Sequence, residues 1–66
     1  MTDEQVNWFY DFMCQKPGDA RIVAREFRRF VKEPFHPQTL REVVDRGVAL
    51  GLWTTSPVPG TVRLIR

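Results

Sequence analysis

All five prolines fall in three short clusters, and this punctuation constrains the fold more than any other feature of the chain. Lys16-Pro17-Gly18 and Pro34-Phe35-His36-Pro37 each stop a helix, because proline disfavours a helical residue before it and glycine accepts a left-handed turn. Ser56-Pro57-Val58-Pro59-Gly60 has the chemistry of a hairpin loop stiffened at its tip. Three helical stretches and a strand-like tail remain, with no room for an interdomain linker. At 66 residues the chain makes a single domain (residues 1–66) that buries only about 60% of its unfolded surface, which disfavours a deep, water-free pocket. The 42% hydrophobic fraction still suffices for one core.

The first helix is expected to start near Thr2, whose hydroxyl and Gln5 have capping-box spacing. Val6, Phe9, Tyr10 and Met13 then form one apolar stripe, widened by Trp8 and Phe12. Cys14, late in this helix, reads as a small buried residue. Asp19 can cap a second helix running to Lys32 or Glu33, with Val23, Phe27, Phe30 and Val31 on its apolar side. The third helix opens at Pro37, which suits a first-turn position, or at Thr39, and buries Leu40, Val43, Val44 and Val48. Gly47 inside that helix costs roughly 1 kcal/mol relative to alanine, so another element is expected to pack closely on it. Gly51 reads as the cap, Leu52–Thr54 and Thr61–Ile65 as two strands. The fold class is therefore mainly α with a small β-hairpin, in the order α-α-α-β-β.

Charge is distributed unevenly. Residues 1–15 carry three acids and no Lys or Arg, whereas residues 16–33 hold six of the ten cations in a chain of net charge +2. Eight of the ten are arginine, whose planar fork suits phosphate and carboxylate. On one helical register Arg21, Arg25, Arg28, Arg29 and Lys32 recur at i, i+4, i+7, i+8 and i+11, a continuous basic ridge opposite the apolar side. Such a ridge can engage about four or five phosphates, with a log–log salt slope near −4. A solvated helix face, partly compensated by Glu26 and Glu33, gives the same pattern.

Several chemistries are excluded. His36 has no second histidine or cysteine near it in sequence, so no metal site is expected. Cys14 and His36 imitate a nucleophile and base, but nothing supplies an orienting group or an oxyanion hole, so no enzyme is expected. There is no glycine-rich phosphate loop, and neither cofactor nor small-molecule substrate is implied. No apolar run approaches a membrane span, no signal-like segment follows the acidic start, and a single cysteine fits a reducing compartment. A cytoplasmic protein is expected.

The stretch Thr39-Leu40-Arg41-Glu42-Val43-Val44-Asp45-Arg46-Gly47-Val48-Ala49-Leu50-Gly51-Leu52-Trp53 resembles the third helix, Gly-Leu step and first wing strand of the winged-helix variant of the helix-turn-helix family. Ile22-Val23-Ala24-Arg25-Glu26-Phe27 is similar to that family's second helix. The resemblance implies a DNA-binding module whose third helix enters the major groove while the hairpin touches the adjacent backbone. Candidate backbone contacts are then Arg21, Arg25, Arg28, Arg29, Lys32, Arg63 and Arg66, although Arg63 and Arg66 also suit a strand edge guarded against pairing. Gln38 and Arg41 are the candidates for reading bases, since both can bond bidentately. A homodimer is expected, because one small module seldom gives high specificity alone. Exposure of Trp8 with Phe35 would mark a protein interface. The chain would act as a transcriptional regulator or an accessory, architectural factor. Helix three presents Glu42 and Asp45 among its outward residues, however, which keeps open an adaptor or inhibitor whose basic helix meets an acidic surface on a larger protein.

Overall fold

A computed structural model describes residues 1–65. Three helices pack around a small antiparallel sheet in the order α1 (Asp3–Met13), β1 (Ala20–Ile22), α2 (Val23–Val31), α3 (Pro37–Ala49), β2 (Trp53–Thr55) and β3 (Thr61–Leu64). The sheet runs β1-β3-β2. The three helices and the terminal hairpin are those expected from the sequence. Strand β1 is an addition: Ala20, Arg21 and Ile22 pair with Arg63, Val62 and Thr61. Three residues formed by a partner forty residues away leave too short an alternation to read locally.

Helix α1 starts through a reciprocal cap. The Gln5 backbone donates to Thr2 Oγ1 at 3.2 Å, and the Thr2 backbone donates to Gln5 Oε1 at 2.8 Å, which satisfies two end-of-helix donors at once. Its stripe of Val6, Phe9, Tyr10 and Met13 is buried, as the spacing predicts. Cys14, expected to be buried, is exposed instead, because the helix ends at Met13 and Cys14 forms its cap.

Helix α2 is shorter at both ends than its sequence pattern. Asp19 does not cap it. The chain runs straight from β1 into Val23, and Ile22 is an N-cap without a side-chain bond. The first helical N–H, that of Val23, donates to the Gly60 carbonyl in the hairpin loop at 3.0 Å, so the hairpin supplies the missing partner. At the other end Lys32 stands in the left-handed conformation at φ 58°, one residue past the helix.

Helix α3 begins with Pro37 at its first position and with His36 as the cap, whose Nδ1 accepts from the Gln38 backbone at 3.0 Å. It ends in a left-handed Gly51, with Leu52 N–H donating to Gly47 and Gly51 N–H to Val48, both at 3.0 Å. This 6→1, 5→2 pair is the Schellman arrangement, and it aims the chain into β2.

The core is aromatic. Phe9 sits 5.2 Å edge-on to Phe27 and 6.0 Å edge-on to Trp53, geometries that aromatic quadrupoles favour. Trp53 is wholly buried, and its indole N–H donates to the Val44 carbonyl at 3.0 Å. Its six-membered ring lies against Gly47, where any Cβ would occupy the same space. The close approach expected at Gly47 is thus made by the first hairpin strand. Val48, expected on the buried face, is 43% exposed, since the ring fills the space beside Gly47 and leaves Val48 at the margin.

Candidate nucleic-acid interface

The five-member ridge separates into two populations. Arg21 is not on a helix at all: it lies in β1, 5% exposed. Its Nε donates to the Met13 carbonyl at 2.8 Å, Nη1 to Ala20 at 2.8 Å and Nη2 to Lys16 at 2.7 Å. The guanidinium therefore fastens the turn after α1 and is unavailable to a polyanion. Counting back in helical steps placed it on the ridge, but the register breaks where β1 gives way to α2.

Arg25, Arg28 and Arg29 are exposed on α2, and Lys32 follows them just beyond its end. The residues the helix buries are Val23, Glu26 and Phe27. Among the described residues Arg28 and Lys32 make no ion pair. Arg25 Nε lies 3.5 Å from Glu26 Oε2, and Lys16 Nζ lies 3.0 Å from the same oxygen. Glu26 is 1% exposed, and its other carboxylate oxygen is buried without a hydrogen-bond partner. Burial pushes its pKa up, but the hydrogen bond and charge of Lys16, with help from Arg29 and Arg25, outweigh that and hold it below the ordinary value. The alternative of a solvated helix face counts Glu26 as a compensating surface charge, and its burial removes it from that role. Its position beside the polar face gave no hint that Lys16 would cover it.

Gln38 and Arg41 are exposed in the first half of α3. Further along, Arg46 is engaged in a bidentate pair with Asp3 of α1, both contacts 2.7 Å. That hydrogen bond lowers the Asp3 pKa and raises that of Arg46. Arg41 keeps no ion pair among the described residues, so α3 offers one free cation near its start, with Glu42 and Asp45 exposed beyond it. Arg63 lies on the central strand β3, not at a sheet edge, and its Nη2 is 3.2 Å from Asp19 Oδ2. Guarding an edge is therefore not its task. Arg66, the other candidate of the tail, lies outside the described residues.

Arg28 and Lys32 border a hollow between α2 and α3, and Arg41 borders the one beside it. Trp8 is 52% exposed, but Phe35 is half-buried and stacks edge-on against Phe27 at 4.9 Å. The two do not form an exposed pair, and most of the remaining aromatics fill the core. Among the described residues no three His, Cys, Asp or Glu side chains cluster as metal ligands, and no helix is long and apolar enough to cross a membrane. Comparison with protein families, with curated proteins and with solved structures finds no match for this chain.

Proposed function

We propose that this chain is a winged-helix module that binds duplex DNA, acting as a cytoplasmic transcriptional regulator or as an accessory, architectural factor. The order of three helices with a strand before the second, closed by a hairpin whose last strand lies centrally, supports that reading. The observation that carries it is the set of cations without an ion pair among the described residues, Arg28 and Lys32 at α2 and Arg41 on α3, with Arg25 and Arg29 alongside. Closely spaced cations displace condensed counterions from the phosphate backbone, and this is the main source of sequence-independent affinity. Gln38 and Arg41, exposed in the first half of α3, are the residues proposed to read base edges, since both can bond bidentately. The engagement of Arg46 by Asp3 removes one cation from that helix, so affinity rests on α2 and discrimination on two residues of α3.

Titration with duplex DNA at two salt concentrations tests this. Four ridge cations each neutralising one phosphate predict a log–log slope of about −3.6. Binding that is absent at low salt, or insensitive to salt, overturns the reading. Sedimentation of the complex reports whether two copies sit on one site, as a dimeric regulator requires.

A further inference from the structure

Two hollows, of about 780 and about 450 Å3, share Ala24, Pro37 and Leu40 in their walls and so form one trough along the seam between α2 and α3. It runs from Glu33 and Pro34 at one end to Gly60 and Val62 of the hairpin at the other. Its lining is mostly apolar, with Phe35, Leu40, Val44 and Val62 added to Ala24 and Pro37. Among the described residues its charged groups are Arg28, Lys32 and Arg41, against a single acid, Glu33. Phosphates account for the cations of such a surface and leave its apolar lining unexplained. A small molecule fits poorly, because ligand pockets bury most of their occupant and this trough is open along one side.

We infer that the trough docks an acidic amphipathic helix from a partner protein. A helix laid in a groove between two others anchors itself through apolar side chains at i, i+3 or i+4 and i+7, and acids flanking those anchors would meet Arg28, Lys32 and Arg41. Charge complementarity selects this occupant: three cations that make no ion pair among the described residues, set around an apolar floor, repel a basic helix and favour an acidic one. This inference goes beyond DNA binding and links to it, since Arg28, Lys32 and Arg41 serve both partners. The acidic helix and the duplex therefore exclude one another.

The probe is a fluorescein-labelled peptide of about four helical turns, with leucines at i, i+4 and i+7 separated by Glu and Asp. Added to the isotopically labelled full chain, it is expected to shift the amide resonances of Ala24, Arg28, Leu40, Arg41 and Val44. Replacing its leucines by serine, or its acids by glutamine, should weaken binding at least tenfold. Ala24→Gln narrows the trough with a neutral, helix-compatible side chain. It should weaken the peptide about tenfold while leaving duplex affinity within twofold. The inference is overturned if the peptide shifts no resonance of the trough, if it binds equally well without its leucines, or if Ala24→Gln leaves it unaffected. Trough shifts in a chain that fails to bind duplex DNA would support the docking site and sink the DNA reading alone.

Discussion

Arg21 and Arg28 are the same residue type seven positions apart, in neighbouring segments, and they do opposite work. The strand that carries Arg21 turns its guanidinium inward, where three backbone carbonyls take up its donors. The helix that carries Arg28 leaves it exposed, with no ion pair among the described residues. A buried arginine stays only when its fork is filled, because an unpaired buried charge is very costly. An exposed one needs no internal partner and stays free for an external anion. Between them Glu26 sets the boundary: it draws in Lys16, touches Arg25 while leaving that side chain 60% exposed, and leaves Arg28 and Lys32 outside its reach. Positive charge in this molecule is therefore of two kinds, spent on the fold or available to a partner.

Substitutions can break that division or sharpen it. The largest effect is expected from Arg21→Ala, which leaves three carbonyls without their donors and opens a void, for a loss of about 2–4 kcal/mol. For a chain this size total stability is roughly 3–10 kcal/mol, so chemical denaturation should show the change plainly. Arg21→Lys should recover only part of it, because an ammonium cannot span three separate carbonyls. DNA affinity of the folded fraction should be unchanged in both variants; a large fall there would return Arg21 to the interface.

Arg41→Ala comes next. It should leave the melting temperature in place and flatten the preference among duplex sequences by about tenfold, roughly the contribution of one bidentate base contact. Competition binding with unrelated duplexes reads this directly.

Glu26 governs an acid-dependent part of the stability. Its folded pKa lies below the ordinary 4.5, so its contribution is present above that value and is lost as pH falls through the folded one. Glu26→Gln should therefore destabilise the protein by about 1 kcal/mol at neutral pH, a modest figure because Lys16 is 40% exposed and solvent screens the pair. The stability difference between wild type and variant should close in strong acid. Denaturant midpoints measured from pH 7 down to pH 3 would show it.

The smallest effect belongs to Arg28→Ala. It should leave the fold untouched, weaken all duplexes alike by a few-fold and reduce the salt slope by about 0.9. If instead it unfolds the protein, the division between the two kinds of arginine is wrong.

Much of the architecture was legible because the deciding interactions are local. The Thr2–Gln5 cap, the stripe from Val6 to Met13 and the first-turn proline of α3 lie within a few residues of one another, where helical spacing is informative. Gly47 announced a close neighbour through its own helix-weakening chemistry, and Trp53 proved to be that neighbour. What escaped reading depends on distant partners. β1 exists because β3 passes beside it, and Asp19 looked like a helix cap when its carboxylate in fact meets Arg63. The basic ridge was visible in its four exposed members and overextended in Arg21, since periodicity cannot say where a helix begins when a strand runs directly into it. The burial of Glu26 needed Lys16 from another segment and had no signature in its immediate surroundings.

The seating of Trp53 against Gly47 gives the molecule a built-in optical contrast. One indole is sealed in the interior at the junction of α3 and the hairpin, while Trp8 stands half in solvent on α1. Emission from the sealed ring will follow separation of the hairpin from α3, and a soluble quencher will reach Trp8 first. Opening of the hairpin can thus be followed in the unlabelled chain, separately from events on the surface of α1.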